Sequence, residues 1–182
     1  MILFDKTGPE NTDRVLEAAL NRAEELQVED IVVASNTGET ASKFLGKGKE
    51  VVCVTHHVGF RNPGEDEMDP ELRQKLQDEG AKVLTATHLF AGVDRALRYR
   101  YQGVFPAEIV AATLRILGKG VKVCAEISCM ALDAGLVPYG KEIVAVGGSA
   151  QGADTAVVIV PAHSNYFFES EIKEIICMPR NK

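Results

Sequence analysis

Short, nearly unbroken apolar runs rich in β-branched residues recur along this chain with helical patterns between most of them, and that alternation constrains the fold more than any other feature. Asp30-Ile31-Val32-Val33-Ala34-Ser35, Glu50-Val51-Val52-Cys53-Val54-Thr55, Lys82-Val83-Leu84-Thr85-Ala86, Glu142-Ile143-Val144-Ala145-Val146 and Thr155-Ala156-Val157-Val158-Ile159-Val160 read as buried strands. A turn and cap at Gly8 to Thr12 precede Val15, Leu16, Ala19, Leu20, Ala23 and Leu26, whose spacing predicts a helix over about 11–26. Further helices are predicted from Glu39 to Leu45, Pro70 to Glu79, Pro106 to Leu117 and Val121 to Ala134.

Strands alternating with helices imply a largely parallel sheet. The glycine-rich connection between the last two runs is too short for a helical crossover, so that pair should be antiparallel. The expected fold is therefore α/β, a three-layer α/β/α domain with a mostly parallel sheet of about five strands, the last antiparallel. Glu174-Ile175-Ile176-Cys177-Met178 reads as one further short strand before a basic, polar tail. At 182 residues and 46% hydrophobic content, residues 1–182 suffice for a single domain with one continuous core.

Charge and apolar patterning exclude several partners. The 26 acidic residues outweigh 20 basic ones, for a net charge of -6, and the cations are scattered rather than gathered into a stripe, so nucleic acid is not expected. Met1-Ile2-Leu3-Phe4-Asp5-Lys6 meets acid too soon for the apolar core of a signal peptide, and no apolar run reaches the roughly 18 residues of a membrane span. A cytoplasmic protein without membrane contact is the expectation. Cys53, Cys124, Cys129 and Cys177 form no CxxC pair and sit among apolar neighbours, as buried reduced thiols do.

In open parallel sheets ligands collect beyond the carboxyl ends of the strands, and three polar segments fall there. Ser35-Asn36-Thr37-Gly38-Glu39-Thr40 offers hydroxyls, an amide and a glycine before a helix N-terminus, which suits a phosphate; the same residues also suit a plain helix cap. No Walker lysine follows, which argues against an NTPase. Thr55-His56-His57-Val58-Gly59-Phe60 brings two histidines, of which an extended chain turns at most one inward, to stack on or hydrogen bond a ring system. No motif supplies further metal ligands, and no metal is expected. Gly147-Gly148-Ser149-Ala150-Gln151-Gly152-Ala153-Asp154-Thr155 permits close backbone approach, with Asp154 able to accept from ligand hydroxyls; an ordinary hairpin turn is the alternative. It lacks GxGxxG spacing, so NAD is not expected.

Thr87-His88 could reach the same pocket or cap a helix. Arg95, Arg98 and Arg100 with Tyr99 and Tyr101 read by default as a solvated helix face. The connection from Thr55 to Asp69 is long, acidic and broken by Gly59, Pro63 and Gly64, as functional loops are.

Taken in order, the strand ending in Ser35 to Ala41, the strand Val51 to Thr55, Tyr101-Gln102-Gly103-Val104-Phe105-Pro106 and the closing turn into Ala156-Val157-Val158-Ile159-Val160-Pro161 resemble the C-terminal α/β domain of pyruvate kinase over roughly residues 10–161. In that domain the loops matching Ser35 to Ala41 and Gly147 to Thr155 bind the phosphates of a sugar bisphosphate activator. A closer resemblance is to archaeal and bacterial proteins that consist of this domain alone. It is carried by Val32-Val33-Ala34-Ser35, Gly147-Gly148, Gly152 to Ile159, Pro161-Ala162-His163 and Glu171 to Arg180.

That resemblance implies flavin mononucleotide (FMN) in the strand-end pocket. Its phosphate would lie on Ser35, Asn36, Thr37, Gly38 and Thr40, its ribityl chain near Gly147, Gly148, Ser149 and Asp154, and its ring near Thr55, His56, His57 and Gly59. It also implies no pyruvate kinase activity, since that active site lies in other domains, and by analogy self-assembly. The reaction class would be flavin-dependent redox chemistry, with no catalytic residue or substrate designated; a non-catalytic sensor or carrier of a phosphorylated metabolite is the alternative.

Overall fold

The computed structural model describes residues 1–181; Lys182, the last residue of the predicted tail, lies outside them. Seven strands form one sheet: β1 (Ile2–Phe4), β2 (Asp30–Ala34), β3 (Glu50–Thr55), β4 (Lys82–Thr85), β5 (Ile143–Gly147), β6 (Thr155–Val160) and β7 (Glu171–Pro179). Their order is β1-β7-β6-β5-β2-β3-β4. β2 pairs in parallel with β3 and β5, β3 with β4, and β1 with β7, while β6 runs antiparallel to both neighbours. The α/β class, the mostly parallel sheet and the reversed β6 agree with the expectation; the strand count does not.

Two strands account for the difference. β1 is three residues long and gains its hydrogen bonds only by meeting Cys177, Met178 and Pro179 across the whole length of the chain, so no local pattern announces it. β7 runs nine residues rather than five because its opening residues, Glu171 to Lys173, alternate charged and apolar, as befits a strand whose faces are only partly covered.

Six helices cover the sheet: α1 (Thr12–Glu25), α2 (Glu39–Ser42), α3 (Pro70–Asp78), α4 (Gly92–Tyr101), α5 (Pro106–Leu114) and α6 (Lys119–Asp133). The period of two in each strand divides the apolar side chains between two cores. Ile31, Val33, Cys53, Val144 and Val146 face Val15, Ala19 and Ala23 of α1, Ala41 of α2 and Leu76 of α3. Val32, Val52, Val54, Ile143 and Ala145 face Cys124, Ile127 and Ala131 of α6.

The predicted helix Glu39 to Leu45 is one turn, after which bonds from Lys43, Phe44 and Leu45 to residues three back tighten the chain. α3 starts where Asp69 Oδ1 accepts from the Glu71 and Leu72 amides, with Pro70 in the first helical position. α4 buries no residue and α5 only Ala111.

This connectivity positions the site. The units from β2 through β3 to β4 carry their helices on one face, and the crossover through α4, α5 and α6 returns on the other to set β5 on the far side of β2. The carboxyl ends of β2 and β5 thus flank the point at which the strand order reverses, the place where open α/β sheets leave a crevice.

Candidate functional site

Around that crevice the loop from Ser35 to Thr40 and the loop from Gly147 to Thr155 are neighbours, because β2 and β5 pair in register with Val33 opposite Val146. Ser35 is buried, and its Oγ accepts from the backbone amides of Thr40 at 3.1 Å and Ala41 at 3.3 Å. Its hydroxyl closes the loop on itself. Gly38 takes φ 89°, a left-handed conformation suited to glycine, and a Cβ there would stand 2.9 Å from Leu76 Cδ1. Thr37 and Glu39 are exposed, Asn36 is half-buried and Thr40 is 8% exposed. With α2 a single turn, loop amides and the Thr37 and Thr40 hydroxyls, rather than a helix dipole, are the donors an anion would meet.

The glycine-rich loop spends most of its bareness on the protein. A Cβ at Gly147 would meet the Gly120 carbonyl at 3.0 Å, and one at Gly148 the Gly152 carbonyl at 2.5 Å. Gly152 lies against Pro9 and Thr12. The Ala153 amide donates to Thr12 Oγ1 at 3.0 Å, which ties the loop to the first turn of α1. Asp154 is 1% exposed; its Oδ2 accepts from the Ser149 amide at 3.1 Å and its Oδ1 from the Thr155 hydroxyl at 2.8 Å. Asp154 therefore shapes the loop and presents Ser149. Ser149 joins Thr7, Gly118, Lys119, Gly120, Pro179 and Asn181 in lining a shallow recess.

Beyond β3 a second cluster forms. Thr55 is buried, its hydroxyl 2.8 Å from Thr85 Oγ1, which also accepts from Arg73 at 3.0 Å. The His56 ring lies inward, stacked on Phe60 with centroids 3.6 Å apart, and its Nδ1 is 2.5 Å from Glu67 Oε2. Glu67 Oε1 is held in turn by Arg61 Nε at 2.8 Å. His57 lies toward solvent and donates from Nδ1 to the Val58 carbonyl at 2.8 Å. Gly59, at φ 83°, closes the loop through its amide to the Glu65 carbonyl. The Arg95 guanidinium sits 5.1 Å from the Phe60 ring centre, a cation-π contact that a solvated helix face does not require.

α6 is the wall that the sequence reading left out. Its first turn reaches the glycine-rich loop, since a Cβ at Gly120 would stand 2.1 Å from Thr155 Oγ1. One turn on, Lys122 is paired with buried Glu126, whose Oε1 accepts from the Phe90 amide at 2.9 Å. His88 completes the group: its Nε2 donates to the Thr55 carbonyl at 3.2 Å and its Nδ1 lies 3.9 Å from Glu126 Oε2. Burial lowers the pKa of His88 against the opposing pull of Glu126, and burial likewise lowers that of Lys122. A lone carboxylate amid Cys124-Ala125-Glu126-Ile127-Ser128-Cys129, four residues after a lysine, was the available signal.

The candidate residues thus fall into two adjoining groups on one sheet edge, with Ser35, Thr55 and Asp154 supporting the surface and Asn36, Thr37, Ser149 and His56 on it. Among the described residues, no group of three or more His, Cys, Asp or Glu side chains is placed to hold a metal ion. A separate recess of about 300 Å³, lined by Tyr139, Ala162, His163, Tyr166 and Glu169, lies at the opposite sheet edge and lacks the hydroxyl-rich loops.

Comparison with known proteins gives a family. The family model described as pyruvate kinase, alpha/beta domain, matches residues 13–159. Among solved structures, a pyruvate kinase from Cryptosporidium parvum is 14% identical with a TM-score of 0.40, covering 75% of this chain and 20% of that one. Cryptosporidium parvum pyruvate kinase in complex with ADP is 14% identical with a TM-score of 0.41, covering 86% of this chain and 24% of that one. This chain therefore spans about a quarter or less of the length of those enzymes.

Proposed function

The chain belongs to the pyruvate kinase alpha/beta domain family, and on that premise we propose that its strand-end cleft binds a small phosphorylated ligand, FMN, in a flavin-dependent redox role. The observation that carries this reading is the pairing of β2 with β5, which sets the Ser35 to Thr40 loop beside the Gly147 to Thr155 loop at the reversal of strand order.

The residues present fit the parts of FMN. Asn36, Thr37, Gly38 and Thr40 supply amide and hydroxyl donors for the phosphate. Gly148 and Ser149, the latter set by Asp154, would take the polyol chain, and the His56 and Phe60 rings would meet the ring system. Bound there, the flavin would supply electron or hydride transfer, while the protein supplies binding, orientation and electrostatics. Pyruvate kinase activity is not proposed.

The second reading is a non-catalytic sensor or carrier of a phosphorylated metabolite. It is favoured by the inward use of Ser35 and Asp154, whose side chains hold the phosphate-side loops together rather than face a ligand. An absorbance spectrum of protein purified without added cofactor separates the two. Flavin bands that bleach with reductant support the flavoprotein; a colourless protein whose melting temperature rises with sugar phosphates supports the carrier.

A further inference from the structure

The chain has four histidines, and their ring contacts differ. His88 gives Nε2 to the Thr55 carbonyl and turns Nδ1 toward Glu126. His57 gives Nδ1 to the carbonyl of Val58 and lies toward solvent. His163 is bonded to Asp133 beside the recess at the opposite edge.

His56 alone of the four joins a carboxylate at hydrogen-bond distance to a place at the carboxyl ends of the parallel strands. Its Nδ1 meets a carboxylate that Arg61 fixes from the other side, and its face is clamped on Phe60. Its Nε2 has no hydrogen-bond partner among the described residues. Since no buried side-chain nitrogen or oxygen there lacks a partner, Nε2 is open to solvent. Position completes the case: β2 and β3 pair in parallel, so His56, one residue past β3, and Asn36, two past β2, belong to the same end of the sheet. A ligand that crosses from the Ser35 to Thr40 loop to the loop after β3 would meet the His56 ring.

We propose that His56 is the proton-transfer residue of this site and Glu67 its positioning residue. The proposal rests on the reading of the cleft as a site for a phosphorylated ligand. Glu67 accepts the Nδ1 proton, which leaves the Nε2 lone pair facing the ligand. Nε2 takes a proton from the ligand, forming an N–H bond as the ligand's X–H bond breaks and its electron pair stays on X. The imidazolium so formed is held against the Glu67 carboxylate, and the reverse step returns the proton.

Nitrogen-15 spectra of the imidazoles in the wild-type protein, with and without FMN, test this directly. The expected result is a His56 ring protonated at Nδ1 and bare at Nε2, whose Nε2 signal moves on adding FMN while His163 stays put. A ring protonated at Nε2 instead, or an Nε2 signal that stays fixed while the Thr37 and Gly38 amides move, overturns the proposal. If FMN moves none of these signals, the flavin reading fails, and His56 is judged by its reaction with diethyl pyrocarbonate. There Nε2 attacks the reagent's carbonyl, an N–C bond forms, and carbon dioxide and ethanol leave. Severalfold slower labelling of His56 in Glu67→Ala, with His163 unchanged, sustains the dyad; equal rates overturn it.

Discussion

Ser35 shows how one side chain can look like a ligand contact and be a structural one. Its hydroxyl caps the turn after β2, so Ser35→Ala should cost about 1 kcal/mol in urea denaturation and weaken FMN binding only by loosening the loop. Both alternatives for this segment were legible in its residue types. The choice between them depends on where Thr40 and Ala41 turn their amides, which no composition encodes. His88 carries a pH prediction. Its folded pKa is lowered by burial, so between that value and the unfolded value near 6.5 the unfolded chain binds more protons, and stability rises with pH. Stability should therefore fall as the pH drops below about 6.5, and His88→Gln should flatten that limb in chemical denaturation followed from neutral to mildly acid pH.

At the scale of elements, β2, β3, β4, β5 and β6 were legible because each concentrates β-branched residues between glycines or charges. β1 was not, since three residues carry no period and their partner lies at the far end of the chain. α2 was read too long because Lys43, Phe44 and Leu45 have helical propensity that the tightening turn overrides. α6 was legible as a helix and illegible as a wall of the site, because its role depends on the approach of Gly120 to Thr155. Gly120→Ala should destabilise the protein by about 1–3 kcal/mol, measured by urea midpoint, as a methyl is forced against that hydroxyl. Glu126→Ala should cost more, about 3–5 kcal/mol, because it leaves Lys122 buried without its counter-charge.

For the whole molecule, the two cores on either face of one sheet explain the chemistry of its thiols. All four cysteines are buried and free, and burial pushes Cys53 and Cys129 up to about 12 and Cys177 to about 11. A thiol reagent at neutral pH should leave the native protein unlabelled over minutes and label all four on unfolding. Among the described residues no helix is long and apolar enough to cross a membrane. The central claim concerns the one edge of the sheet where two polar loops meet, and a fluorescence titration with FMN of the wild type and of a variant carrying Thr37→Ala and Thr40→Ala tests it most directly. The account predicts micromolar binding that the double substitution weakens about tenfold or more, a loss of at least 1.4 kcal/mol. Absence of binding at millimolar FMN, or equal affinity in the two proteins, would contradict it.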